Sequence, residues 1–210
     1  VQQDLQVLIK NQPSTGVHEA VRCLCLVVKY VTGDLGQLLN HLNTAVPTLS
    51  HLCGVAEAKK GSLDRIKQMY MSRQVWILSS VMESLSIDDF IEAPQAPEGT
   101  TKRRLLPRSA LRFEFVGGSV ALTVADLLCR LYALQVPQLQ AVAVNCLAFF
   151  LRGQRAYVKD RRVADVLSSA LAASDSGLCL KALEALSSLL EHFGHEADHE
   201  TRAGATGVGD

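Results

Sequence analysis

Aromatic side chains are scarce in this 210-residue sequence, at 5% of the total. Long alternations of β-branched residues are missing too. A chain rich in Leu, Ala, Val and Ser but poor in both features is expected to be all-helical rather than sheet-forming. No continuous apolar run reaches the roughly 20 residues of a membrane-spanning helix. The longest, Ala141 to Leu151, is interrupted by Asn145, so no membrane partner is expected. Net charge is absent as well. Lys and Arg total 21 and Asp and Glu total 21, so the chain as a whole is no polycation made for nucleic acid. The six cysteines, at 23, 25, 53, 129, 146 and 179, form no CxxC pair, and five lie in apolar helical patterns. They read as small core residues in a reducing compartment. The sequence also contains no phosphate-loop pattern and no GxGxxG, HExxH or GxSxG. Catalysis needs groups that converge in a pocket, and the carboxylates here fall on polar faces or in loops. No enzyme, cofactor or small-molecule substrate is expected. The chain opens on Val1 and trails into Gly, Ala and charge, which reads as a piece of a longer polypeptide.

What is present is helical periodicity over a 48% hydrophobic composition. Val17, Ala20, Val21, Leu24, Val27, Val28 and Val31 recur at three- and four-residue spacing, with His18, Arg22 and Lys29 assigned to the opposite side. Gly33 is placed to end this helix and Asp34 to cap the next, which Pro47 should kink. Ser62 is expected to cap a third helix ending near Ser86. Periodicity then disappears from Ile91 to about Phe115, where Pro94, Pro97, Gly99 and Pro107 surround a basic cluster. Helix returns behind Gly117-Gly118 at Ser119, with Asp126 four residues before Arg130 as a favourable local pair. Pro137 is a first-turn proline for a helix apolar on most sides, hence central. Asp160 or Asp165 opens a shorter helix, and a last one ends near Gly194. The expected division is helices over 1–91, a flexible charged insertion over 92–115, two hairpins over 116–193 and a disordered tail over 194–210.

A repeat decides the architecture. Shifting the sequence by 39 positions places Ala125 on Ala164, Asp126 on Asp165, Leu128 on Leu167, Ala143 on Ala182, Val144 on Leu183, Leu147 on Leu186 and Leu151 on Leu190. A period of about 40 residues holding two amphipathic helices is the signature of HEAT and armadillo arrays. Each hairpin there buries its face only against its neighbours. The predicted fold is a right-handed α-solenoid of HEAT/armadillo-type helical hairpins.

The segments GVHEAVRCLCLVVKYV, RQVWILSSVMESLSIDDF, VADLLCRLYALQVPQLQAVAVNCLAFFLRGQ and VADVLSSALAASDSGLCLKALEALSSLLEHF follow one another in an order and spacing that resembles the cohesin-loading proteins, the Nipped-B or adherin family. The resemblance runs from about Val17 to Glu200 and is similar to the later HEAT repeats, where the array curves into a hook. It implies a nuclear, non-catalytic chromosome factor in sister chromatid cohesion. Its partners would be cohesin subunits (the SMC heads and the kleisin) and double-stranded DNA, and the ATP hydrolysis it stimulates is performed by the heads. The alternative is a generic HEAT or armadillo adaptor that grips a protein partner without DNA.

Two basic clusters are the candidate contacts for DNA or a partner. Arg152, Arg155, Lys159, Arg161 and Arg162 lie in a turn between helix pairs, where a solenoid gathers equivalent turns along one edge and could track a phosphate backbone. Tyr157 among them could pack on a sugar; the plain alternative is a solvated loop. Lys102, Arg103 and Arg104, with Arg108 and Arg112, could form a DNA arm, an import signal or an intramolecular partner for Asp88, Asp89 and Glu92. Gly117-Gly118-Ser119 could hold an anion at a helix start, or act as a hinge or cap. His192, His195 and His199 have spacing that could bind zinc, but they lead into a Gly-rich tail and read as incidental. Trp76 and Tyr70 read as core or groove residues.

Overall fold

The computed structural model describes residues 14–32, 35–59, 63–90 and 107–205, with side chains for all of these except 14, 15, 89, 90, 108 and 195–205. Seven α-helices carry the described residues: α1 Ser14–Val27, α2 Gly36–Ala58, α3 Arg65–Ser84, α4 Val120–Ala133, α5 Pro137–Gly153, α6 Arg161–Leu171 and α7 Ser176–Ala205. No strand occurs among them. The odd-numbered helices form one row, α1 on α3, α3 on α5 and α5 on α7. The even-numbered helices α2, α4 and α6 form a second row. Consecutive antiparallel pairs, α2–α3, α4–α5 and α6–α7, are the hairpins. The fold is an all-α solenoid of HEAT-type hairpins.

Local sequence explains most of the helix starts. Asp64 caps α3 by accepting from Lys67 N at 2.8 Å, so the cap is two residues past Ser62, which lies outside the described residues along with Gly33 and Asp34. Ser119 caps α4 through Leu122 N, and Asp160, not Asp165, caps α6 through Arg162 N. Asp175 accepts from Gly177 N and Leu178 N at the start of α7. Each oxygen satisfies amide donors that have no partner inside their helix. Pro137 stands at the first turn of α5, where its missing N–H costs nothing. Val28–Thr32 continues α1 as one π-helical turn. Helix α2 runs through Pro47 without a break.

The core follows the row of odd-numbered helices. In α5, Leu139, Ala143, Val144, Cys146, Leu147, Phe150 and Leu151 are all buried, as its all-round apolar pattern predicts. Gly153 ends it where the backbone of α3 passes: a Cβ there would meet Met82 O and would stand 2.5 Å from Glu83 Cα. Gln154 Nε2 donates to Met82 O at 3.0 Å in the same place.

Three expectations are corrected. The segment 107–115 does not behave as part of a free insertion. Leu111 is buried, Phe113 and Phe115 stack with centroids 5.1 Å apart against the core, and Asn43 of α2 clamps the backbone by donating to Ala110 O and accepting from Arg112 N. Apolar residues at every second position anchor a segment that has no helical period. The rest of the expected insertion, 92–106, lies outside the described residues. Helix α7 passes Gly194 and continues to Ala205, because one glycine costs a helix only about 1 kcal/mol and the following Glu, Ala and Asp are compatible with it. The local Asp126–Arg130 pair does not form. Arg130 instead grips Glu57 of α2 at 2.9 and 3.0 Å, and Asp126 takes Arg162 of α6 at 3.0 Å.

Candidate functional site

The turn between α5 and α6 is a short 3-10 helix, Arg155–Lys159, and it sorts the basic run into two groups. Arg152 is drawn inward. Its guanidinium meets Glu83 of α3 at 3.2 Å, bonds Ser188 of α7 and lies over the Phe149 ring at 4.9 Å. Arg162 is held between Asp160 at 3.2 Å and Asp126 at 3.0 Å. These two contacts raise its pKa further, the Asp160 hydrogen bond leading, and that hydrogen bond in turn pulls the Asp160 carboxyl below its usual range. Arg155, Lys159 and Arg161 remain on the exposed surface. Arg155 lies over the Phe193 ring at 5.1 Å, and Arg161 reaches Asp165 only at 3.9 Å with its side chain 94% exposed. The structure therefore leaves Arg155, Lys159 and Arg161 exposed and ties Arg152 and Arg162 into the fold. Lys102, Arg103 and Arg104 lie outside the described residues.

Other expected site residues have structural work. Tyr157 is half-buried, its ring edge-on to Phe150 at 5.4 Å and its hydroxyl 3.3 Å from Ser119 Oγ. The start of α4 is no open anion site: Asp88 accepts from Val120 N at 2.8 Å, Ala121 N at 3.2 Å and Ser119 Oγ at 2.7 Å. Trp76 is partly buried against the core, its ring tilted on Phe149 with centroids 5.3 Å apart. The side chains of His195 and His199 lie outside the described residues.

Sequence reasoning missed the polar spine that crosses the row of odd-numbered helices. His18 of α1 is buried, not on the solvent side, because the flank of α1 beside Val17 and Val21 also meets α3. Its Nδ1 is 2.7 Å from Ser80 Oγ and its Nε2 3.3 Å from Glu83 Oε2. Glu83 joins Arg152, and Arg152 joins Ser188, so four helices share one chain of polar contacts. Burial lowers the His18 pKa, against the nearby Glu83 carboxylate, which raises it. The only hint in the sequence is that Glu83 follows Ser79-Ser80-Val81-Met82, which the helix buries.

On the other row, α2, α4 and the segment 112–116 enclose a groove of about 450 Å³ lined by Pro47, His51, Arg112, Phe113, Glu114 and Arg130, among others. Its mixed charge favours no one ligand.

With this geometry in place, comparison with solved structures gives a match to the Chaetomium thermophilum cohesin loader SCC2, C-terminal fragment, with a TM-score of 0.74 and 16% sequence identity. By fold, the chain is similar to that cohesin loader. The match covers 95% of this chain and 14% of that one, so the chain spans a small part of the loader fragment's length. No protein-family model matches, and no curated protein matches by sequence.

Proposed function

We propose that this chain is a non-catalytic HEAT-repeat scaffold of the cohesin-loader type. It binds cohesin subunits, the SMC heads and kleisin, together with double-stranded DNA, and so promotes cohesin loading onto chromosomes in the nucleus and stimulates ATP hydrolysis by the heads. The observation that carries this reading is the fold likeness to the loader fragment along nearly the whole chain. The exposed edge of Arg155, Lys159 and Arg161 supports the DNA contact, because three cations on one turn neutralise successive phosphates and release their counterions. The cluster at 102–104 extends the same proposal as an arm. The test of partner choice is interferometry with the chain immobilised and purified cohesin heads with bound kleisin in solution. Saturable binding is expected, and no binding even at low salt would contradict the scaffold assignment. One observation favours a protein-only adaptor: Arg152 and Arg162, two of the five cations in the run, are committed to internal partners. Cohesin binding without any DNA affinity would select that second reading.

A further inference from the structure

Arg162 differs from the other cations of the basic run. It follows Arg161 directly in the first turn of α6, yet its charge is answered within the molecule. Asp160, the cap of α6, accepts from the Arg162 backbone N–H at 2.9 Å and meets its guanidinium at 3.2 Å. Asp126 of α4, in the neighbouring hairpin, meets the same guanidinium at 3.0 Å. Two carboxylates hold one arginine, so the trio is net negative beside the exposed cations Lys159 and Arg161. Arg152 is withheld in another way, because it is wedged among helices and its side chain is only 22% exposed. The Arg162 side chain is 45% exposed, so a large ligand can reach it. Ion pairs this open to solvent are weak and exchange readily. Asp126 is not stranded when Arg162 leaves. Arg130 lies one turn further along α4, and the Asp126 charge helps to raise its pKa, behind the leading hydrogen bond from Glu57.

We infer, on the DNA reading proposed above, that Asp126 and Asp160 form an autoinhibitory contact that withholds Arg162 from a phosphate backbone. The competition is between like acceptors, since a carboxylate and a phosphate diester each offer a guanidinium two oxygens and one negative charge. The carboxylates win by proximity, and the run binds DNA less tightly than its count of arginines allows. Neutralising either carboxylate loosens the hold on Arg162 and adds it to Arg155, Lys159 and Arg161 as a further phosphate contact. Because Asp126 and Arg162 belong to different hairpins, the same contact links the packing of α4 and α6 to the charge presented at the turn.

Fluorescence anisotropy on the whole chain with a short DNA duplex, over a salt series, tests this with Asp126→Asn and Asp160→Asn. Asparagine keeps the size of the side chain, and at position 160 it keeps a helix cap while losing the charge. Circular dichroism checks that both variants stay folded. Each should bind about two- to fivefold more tightly at low salt than the unmodified chain. The log–log salt slope should steepen by up to about 0.9, the contribution of one added phosphate contact. The gain must run through Arg162, so in an Arg162→Gln background it should fall to less than half. An equal gain with and without Arg162 would show that the carboxylate acts only through overall charge, and would overturn the inference. Unchanged affinity in both variants, while the unmodified chain binds, would overturn it too and leave the DNA reading standing. No binding by any of these proteins at low salt would remove the DNA reading and the autoinhibitory contact together.

Discussion

Glu83 stands between two bases and across two helix boundaries, and its side chain is only 12% exposed. Removing one member of a buried charged network leaves its partners desolvated and unpaired, which typically costs more than the pair itself contributes. Glu83→Ala is expected to lower the unfolding free energy by about 3 kcal/mol in urea titrations. Glu57→Ala, which breaks the more exposed pair with Arg130, should cost below about 1 kcal/mol. Equal effects would mean that the spine is not what couples the row. The two buried imidazoles add a pH dependence. Burial lowers the pKa of His18 and of His41, so below the ordinary value near 6.5 the unfolded chain takes up protons that the folded chain refuses. Stability should fall as pH drops from about 7 towards 5, and His18→Gln should flatten part of that slope. The thiols follow the same logic. Burial pushes Cys25 and Cys146 up to about 12 and Cys53 and Cys129 to about 11, whereas Cys23 is exposed. At this scale the sequence was only partly legible. Val17, Val21 and Leu24 announced the buried face, but the position of His18 depended on which residues of α3 lay opposite, and spacing within one helix cannot show that.

Among the elements, local signals read well and distant ones did not. Ser119, Asp160 and Pro137 mark helix starts through their own neighbours, within three residues, so their chemistry was visible in the sequence. Asp88 caps α4 from 32 residues away, and Asn43 clamps 110–112 from α2 across 67. Both depend on the packed fold, and so residues 107–115 looked freer than they are. Asp88→Ala is expected to destabilise by about 1 kcal/mol, the usual cost of removing a helix cap. Asn43→Ala should make the backbone around 107–116 markedly more sensitive to limited proteolysis while shifting the melting temperature little, since it unpins one segment and leaves the helix stack intact. Unchanged cleavage there would show that Leu111, Phe113 and Phe115 hold the segment without the clamp.

For the whole molecule, the 39-residue frame was the most legible feature, because a repeat writes its period into the chain regardless of what each residue touches. It anticipated the stacked hairpins, while the likeness to a loader fold was carried by the resemblance of the longer segments. It could not separate the five basic residues of the α5–α6 turn. Their charges look alike in sequence, but Glu83 and Ser188 claim Arg152 and Asp126 claims Arg162, each from another helix. The remaining edge, Arg155, Lys159 and Arg161, is where the proposed scaffold would meet DNA. The most direct test is fluorescence anisotropy with a short DNA duplex over a salt series, on the chain and on a variant with those three residues neutralised. Binding should weaken steeply with salt. The variant should bind more weakly, with a log–log slope flatter by up to about 0.9 for each phosphate it no longer neutralises. The same affinity and slope in both proteins, or no binding at low salt, would contradict a DNA track on this edge.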